Sequence, residues 1–459
     1  MKSDEQPVTG GPHEQLPKEL IDRITRPLNR FLHIETTAGV VLLAATLAAI
    51  FLANSPWAEF FSSLWHTPIG IHIGSLETGR SLHAWINEGL MTLFFFLVSL
   101  ELKRELVLGE LSKPRMAALS IAAAFGGMLV PAAIYLTLQW GQPGQSGWGT
   151  VMATDTAFVL GCLALMGSRI PREMRVFMLS LAIVDDIGAI LIVAIGYSQN
   201  IRWEALALAA VGFIIVRCMA LLGIRNISLY FIVGGLIWLV MDASGIHATV
   251  TGIILGLMTP TGKWVSDKRL HTILDSVIAD PPDDWRGKKA HRETLRTAEA
   301  AAREALSPVE RLEMLLHPWV GFVIMPLFAF ANAGIPITIS ELHYSVAMAV
   351  FLGFVLGKPA GVFIFSWVAI YSGMAIRPAE LSWRLLAAGS LFAGIGFTMA
   401  LFIANLAFGP DLINSAKFGI LAASVFSAIA GILLLSGASF RGLLHPFQKD
   451  NRMIGRETD

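Results

Sequence analysis

Charged residues are scarce in this chain: they make up 15% of its 459 residues, whereas hydrophobic residues make up 54%. Lysine plus arginine and aspartate plus glutamate are equal in number, at 34 each, so no excess of positive charge favours nucleic acid. Cysteines are rare too, and both, Cys162 and Cys218, lie in apolar runs that indicate neither a disulfide framework nor a metal site. No secretory signal is visible, because the first apolar run begins only near Thr36. This composition predicts an integral membrane protein.

About twelve stretches are long and apolar enough to cross a bilayer as helices. They lie near residues 37–53, 82–100, 116–138, 148–166, 174–198, 203–222, 227–242, 246–260, 318–336, 345–372, 383–408 and 413–437. Lysine and arginine concentrate in alternate connections, and the opposite set carries only Arg80, Arg202 and Lys417. Because cytoplasmic connections are the basic ones, we expect both termini in the cytoplasm.

The chain then divides into a cytoplasmic segment 1–35, a transmembrane domain 36–437 and a cytoplasmic tail 438–459. The first segment has apolar residues at helical spacing among basic ones, which fits a helix on the anionic membrane surface. A solvated helix packed on its own protein fits this pattern equally well. Within the transmembrane domain, the long cytoplasmic loop 261–312 carries mixed charge typical of a solvated face, and no catalytic motif.

Residues 67–81 form a connection of a different kind. Isoleucine alternates there with glycine and histidine, a period of two that predicts a small external β-hairpin. Because open strand edges pair with one another, we expect a homodimer contact through this hairpin.

Three carboxylates, Asp155, Asp185 and Asp186, lie within predicted spans. An aspartate at the middle of a membrane costs roughly 2.5–3.5 kcal/mol, so such a cluster predicts a site for cations or protons. Neighbours on a helix point about 100° apart, so Asp185 and Asp186 serve different contacts. Lys358 is the only basic residue expected deep inside a late span, and a buried lysine pairs with a carboxylate. Asp185 and Asp155 are the candidates, and a purely structural salt bridge is the alternative interpretation.

Two places within predicted spans favour an interruption of the helix. Residues 154–156, Thr-Asp-Thr, are all helix-capping types in the middle of an apolar run. Residues 389–398 are rich in glycine, although glycines at this spacing suit close helix packing equally well. A broken helix leaves free backbone groups and partial dipole charges inside the membrane. Interrupted spans in both halves of a chain indicate inverted repeats with the site between them.

Nine short segments, in this order, carry a family resemblance. They are 87–98 (NEGLMTLFFFLV), 100–106 (LELKREL), 153–155 (ATD), 184–190 (VDDIGAI), 247–249 (HAT), 316–319 (LHPW), 328–334 (FAFANAG), 357–359 (GKP) and 394–399 (GIGFTM). Together they resemble the NhaA family of bacterial Na+/H+ antiporters, from about Leu32 to Leu435.

The resemblance implies an all-α polytopic membrane protein of about 12 transmembrane helices with inverted-topology repeats. Helices three to five and ten to twelve would form the inverted pair, and two broken helices would cross at the midplane. It also implies a bacterial inner membrane, no enzymatic activity and no cofactor, with Na+ or Li+ and protons as the transported ions. More than one proton would enter for each Na+ expelled, so that exchange would be electrogenic.

Residue roles follow from the matching motifs. The resemblance implies that Asp186 is the main cation ligand and that Asp185, paired with Lys358, is its partner in proton exchange. Asp155 and Lys358 would offset the dipole charges of the broken helices, and Thr154 would offer an oxygen to the ion. Five residues fall on positions tied in the family to pH activation: Glu101, Glu105, His247, Glu313 and His317.

Three departures from the family pattern concern the pH response. Met314 stands where the better-known pattern has a second histidine, Glu310 stands where a basic residue is familiar, and the loop before them is longer than in compact members. The midpoint of pH activation therefore does not carry over, whereas the transport residues are intact.

Three other classes of protein compete with an antiporter. A sodium-coupled symporter on a similar fold would need a pocket for an organic solute. An intramembrane aspartyl protease also uses two carboxylates, but no Gly-x-Gly-Asp pattern surrounds Asp185 or Asp186, and Lys358 would have no purpose there. An ion channel would show leak currents in place of saturable exchange.

Overall fold

A computed structural model of the chain describes residues 35–73, 76–109, 112, 114–166, 170–197, 201–224, 226–263, 267–279, 296–302, 305–336 and 342–443. The predicted N-terminal surface helix, the middle of the long loop and the end of the C-terminal tail lie outside these residues.

Helices dominate the described part of the chain. They are α1 (Glu35–Ala53), α2 (Ala58–His66), α3 (Leu82–Leu108), α4 (Pro114–Gln139), α5 (Thr156–Leu165), α6 (Arg172–Gly196), α7 (Trp203–Leu221), α8 (Ile227–Ala243), α9 (Thr249–Met258), α10 (Asp267–Ala279), α11 (Pro308–Asn332), α12 (Tyr344–Tyr371), α13 (Trp383–Ala393), α14 (Phe397–Ala407) and α15 (Pro410–Leu443). A 3₁₀ helix, Pro143–Met152, precedes α5. Short π-helical turns occur inside α3, α11 and α12.

Seven helices of the described part are long and apolar enough to cross a membrane. They are α3, α4, α6, α7, α11, α12 and α15. Two bent pairs, α1 with α2 at 113° and α13 with α14 at 42°, raise the number to nine if each pair is one span. Helices α8 and α9 are apolar but shorter. The prediction of a polytopic α-helical membrane protein is therefore confirmed, while the number twelve stays a prediction.

The connection before α3 forms the predicted hairpin. Strands β1 (Pro68–Ile73) and β2 (Leu76–Ser81) pair antiparallel, with Ile69 opposite Arg80. The indole Nε1 of Trp85 donates to the carbonyl of Ile69 at 2.8 Å, so α3 holds the first strand in place. Arg80 on the second strand forms ion pairs with Glu88 of α3 and Asp242 of α8.

Two helix pairs pack so closely that glycine is required between them. A Cβ on Gly126 of α4 would collide with the carbonyl of Gly361 on α12, so the two backbones touch at this point. Helix α9 packs in the same way against α3, where a Cβ on Gly256 would lie 2.6 Å from Ser99. Inside a membrane, two helices gain little from removing apolar surface from water. Small residues at their contact let the backbones approach closely, so that van der Waals packing holds the helices together.

Two interruptions of helices lie in the centre of the packed bundle. The first break, residues 153–155, separates the 3₁₀ helix from α5, and the second break, residues 394–396, separates α13 from α14. The first overlaps residues 154–156, where capping residues favoured an interruption, and the second lies inside the glycine-rich residues 389–398. The late glycines also serve close packing, the alternative role, because a Cβ on Gly394 would lie 2.8 Å from the carbonyl of Phe354.

One expectation about charge placement is wrong. Lys417 was counted among the basic residues of the connections, but it lies two turns into α15 and is only 8% exposed. Lys358 is therefore not the only basic residue inside a late helix. An apolar run was expected to begin at residue 413, yet α15 begins at Pro410, because Pro suits the first turn of a helix.

Candidate functional site

The two breaks lie against each other and are joined by hydrogen bonds. The backbone N–H of Asp155 donates to the carbonyl of Ile395 at 2.8 Å. The hydroxyl of Thr154 donates to the carbonyl of Ala393, the last residue of α13, at 3.0 Å. Each interruption leaves backbone groups without partners in their own helix. Groups of the opposite break form hydrogen bonds with them, as is needed where water is absent.

Asp155 caps two helices at once. Its Oδ1 accepts from the backbone N–H of Phe158 in the first turn of α5, at 3.0 Å. Its Oδ2 accepts from the backbone N–H of Thr398 in the first turn of α14, also at 3.0 Å, and from the Thr398 hydroxyl. Helix N-termini carry partial positive charge, so a carboxylate between two of them is stabilised by both. The side chain of Asp155 is wholly buried.

Lys358 on α12 pairs with Asp185 on α6, at 2.7 Å between Nζ and Oδ2. The pairing with Asp155, which the sequence left open, does not occur. The Lys358 ammonium also donates to the carbonyl of Met152, the last residue of the 3₁₀ helix. A cation there offsets the partial negative charge of a helix C-terminus. Each partner of the pair is 1% exposed, so the ion pair is fully desolvated.

Asp186 lies next to that pair and differs from it. Its Oδ2 is 3.4 Å from the hydroxyl of Thr156, the first residue of α5, and its buried Oδ1 has no hydrogen-bond partner in the part of the chain that the structure describes. Oδ1 of Asp185 is likewise buried without a partner. Among the described residues, Asp186 forms no ion pair. Buried polar atoms in native proteins are nearly always satisfied, so two unsatisfied carboxylate oxygens on consecutive residues are unusual.

The arrangement suits a transient cation. Three carboxylates and one lysine are buried close to the two breaks, so the cluster carries excess negative charge when all are ionised. A carboxylate oxygen left without a donor can be satisfied by a proton or by a hard cation such as Na+. No group of three or more His, Cys, Asp and Glu side chains that could hold a metal ion occurs in the described part of the chain.

The five residues expected at pH-response positions do not form one cluster. Glu313 on α11 forms an ion pair with Arg104 on α3, and the carboxylates of Glu105 and Glu310 lie within electrostatic reach of it. Glu101 on α3 and His317 on α11 lie on these same two helices.

His247 lies far from that group. It precedes α9. Helix α9 runs parallel to α3, because two contacts occur in the same order along both helices: Gly252 lies beside Thr92, and further along the Lys103 ammonium donates to the Leu257 carbonyl. Nε2 of His247 lies 3.1 Å from the carbonyl of Tyr197, near the end of α3 that follows the hairpin. Residues 88 and 101 of α3 are about 20 Å apart along the helix axis. His247 therefore lies near the opposite end of α3 from Glu101.

Sequence reasoning missed several polar contacts. His83, Asn87 and Asn332 form a closed ring of hydrogen bonds at 2.7–3.2 Å that ties α3 to α11, and Asn405 on α14 joins it at 2.7 Å. Amides in otherwise apolar spans were the available signal, since buried amides need partners. Thr398 was seen only within a glycine-rich stretch, although a threonine after such a stretch is a typical helix-start residue.

Each half of the chain contains an interrupted helix, and the two breaks meet beside buried charged residues. This arrangement is typical of the class of secondary membrane transporters. Comparison with known protein families agrees with that class. The sequence model of the family described as Na+/H+ antiporter 1 matches residues 29–435. The chain belongs to this family.

Several relatives align with nearly their whole length. An NhaA 2 Na+/H+ antiporter of Acidiphilium cryptum (strain JF-5) is 61% identical over 422 residues, which cover 92% of this chain and 94% of that protein. The NhaA antiporter of Rhizobium meliloti (strain 1021) is 59% identical over 423 residues, 92% of this chain and 97% of that protein. An NhaA 2 antiporter of Vibrio vulnificus (strain CMCP6) is 57% identical over 422 residues, at 92% and 94% coverage.

Proposed function

We propose that this protein expels Na+ or Li+ in exchange for protons by alternating access, and that Asp186 is the main cation ligand. The observation that carries the proposal is the buried Oδ1 of Asp186, which has no hydrogen-bond partner among the described residues, as is also true of Oδ1 of the preceding Asp185. Membership of a family of Na+/H+ antiporters supports exchange rather than symport or catalysis.

Protons and cations would compete for these oxygens. A proton on Asp186 removes the charge that a cation needs, so loading with Na+ requires its release. Asp185 shares its carboxylate with Lys358, so a cation that recruits Asp185 competes with the lysine for the same group. Thr154 would add a hydroxyl oxygen from the first break. Asp155 and Lys358 would hold the charges of the broken helices in balance throughout.

Exchange would be electrogenic, with more than one proton entering per Na+ expelled. Each elementary charge moved across 100 mV is worth about 2.3 kcal/mol, so the membrane potential would add to the proton gradient. Glu101, Glu105, Glu313 and His317 at one end of α3 and α11, with His247 at the other, are the candidate residues for a response to pH. Glu310 has a structural contact of its own, a capping box with Ser307 at the start of α11.

We further propose about twelve spans with inverted repeats, in a bacterial inner membrane with both termini cytoplasmic. The support is that a broken span lies between two long helices in each half of the chain. In the first half the order is α4, the first broken span and α6, and in the second half it is α12, the second broken span and α15. The divisions 1–35, 36–437 with the loop 261–312, and 438–459 follow from this topology.

A homodimer through the hairpin 67–81 is also proposed. The support is a two-stranded sheet with no third strand among the described residues, so an edge strand could pair with another copy. Deletion of residues 69–76 should convert dimers to monomers in mild detergent, as measured by light scattering. Dimers that persist in the deletion variant would refute this contact.

The central test is antiport in inside-out vesicles energised by respiration, followed by dequenching of a pH-sensitive dye. Addition of Na+ or Li+ between about pH 6.5 and 8.5 should restore fluorescence for the wild type and not for Asp186→Asn. The matched control is Asp411→Asn, which changes an exposed carboxylate at the start of α15 and should transport as the wild type does. Normal exchange by Asp186→Asn would remove that residue from the site. Wild-type protein that gives no exchange but takes up an organic solute with Na+ would favour the symporter.

A further inference from the structure

Two threonines flank Asp155, and they have different surroundings. The Thr154 hydroxyl is buried and donates to the carbonyl of Ala393, 3.0 Å away, which closes the crossing of the two breaks. The Thr156 hydroxyl lies 3.4 Å from Oδ2 of Asp186 and is only partly buried. The side-chain hydroxyl next to Asp186 is therefore that of Thr156.

We propose that Thr156 supplies a hydroxyl oxygen to the transported cation beside Asp186 and thereby sets the affinity of the site. This inference rests on the proposed function, because it takes Asp186 as the main ligand. It adds Thr156 to the ligands of the ion, while the Thr154 hydroxyl also holds the two breaks together through the Ala393 carbonyl.

The geometry fits a hydroxyl that changes partners. A distance of 3.4 Å is long for an O–H···O bond, which is commonly near 2.7–2.8 Å, so the proton of Thr156 is not tightly held by Asp186. A hydroxyl has one donor and two acceptor positions. With the site empty it donates to the carboxylate, and with a cation present it turns a lone pair towards the ion. Na+ and Li+ are hard cations, which prefer such oxygens.

The backbone around Thr156 is fixed, so its oxygen stays in place. Thr156 begins α5, and the preceding Asp155 is bound through its backbone N–H to Ile395 and through its carboxylate to two helix starts. The branched Cβ of threonine further restricts the side chain to few rotamers. Thr156 is itself only partly buried, whereas the Asp186 carboxylate beside it is buried.

The test measures the KM and kcat of Na+ and Li+ exchange in proteoliposomes for wild type, Thr156→Val and Thr156→Ser. Valine keeps the shape of threonine and removes the oxygen, so KM should rise about tenfold for both ions, while kcat stays within about twofold. Serine restores the hydroxyl and should bring KM back towards the wild-type value. The matched control is Thr46→Val in α1, which removes a buried hydroxyl bonded to the Leu42 carbonyl and should leave KM unchanged.

The outcomes separate this inference from the proposed function. An unchanged KM for Thr156→Val, with Asp186→Asn inactive, would overturn the inference and leave the proposed site standing. Normal transport by Asp186→Asn would overturn both. If the valine variant does not fold, Thr156→Ala takes its place, and the Na+-dependent rise of the unfolding temperature is measured for it and for Thr156→Ser. An equal rise in those two variants would also overturn the inference.

Discussion

Asp155 and Asp186 are both buried carboxylates near the contact between the two breaks, and their surroundings differ sharply. Asp155 receives backbone N–H groups from two helix starts and a hydroxyl, so both its oxygens are satisfied. Asp186 has one long contact to a hydroxyl and one oxygen with no partner. A carboxylate surrounded by fixed hydrogen-bond donors therefore holds the structure together, whereas a carboxylate without such donors has oxygens that remain available to an ion.

The largest effect on stability is expected when the ion pair between Lys358 and Asp185 is broken. Lys358→Met leaves the Asp185 carboxylate buried without its partner, so the free energy of unfolding should fall by about 3–5 kcal/mol. The double variant Lys358→Met with Asp185→Leu removes both charges and should regain most of that loss. Denaturant unfolding in detergent micelles, followed by tryptophan fluorescence, measures both. If the double variant were as unstable as the single one, packing rather than the unpaired charge would be the cause.

A smaller effect should distinguish Asp155 from Asp186 directly. Asp155→Ala removes the N-cap of two helices, each worth about 1 kcal/mol, so the free energy of unfolding should fall by about 2 kcal/mol. Asp186→Ala removes a buried and poorly satisfied carboxylate from the interior of α6, where alanine is a better helix former. Its unfolding free energy should equal or exceed that of the wild type in the same titration. Equal losses in the two variants would contradict the contrast between a structural and an ion-binding carboxylate.

The smallest effect is expected at the ion pair between Arg104 and Glu313, which is closer to solvent. The Arg104 side chain is 35% exposed, so the pair gains little from its charges. Arg104→Gln should lower the free energy of unfolding by about 1 kcal/mol or less, and added salt should reduce the difference further. The unfolding titration is repeated at low and high salt. A loss as large as that of Lys358→Met would show that exposure does not separate these two pairs.

The interruption of the first span could be predicted from the sequence, because capping residues act locally. The hairpin could be predicted for the same reason, since alternation with a period of two is a local pattern. The partner of Lys358 could not, because Asp185 and Asp155 lie on different elements and only packing decides between them. Lys417 was misplaced because a lysine near the end of an apolar run looks like an interface residue, although α15 carries it into the bundle.

Hydropathy, capping residues and motifs are properties of neighbouring residues, so the sequence alone was enough to predict the membrane class, the first interrupted span, the family and the residue types at the site. Only the tertiary structure decided that Lys358 pairs with Asp185, that Asp155 caps two helices, and that Thr156 rather than Thr154 lies beside Asp186. These contacts join residues from separate helices. They depend on how each helix is rotated and how closely its neighbours pack, and no local pattern in the chain records that.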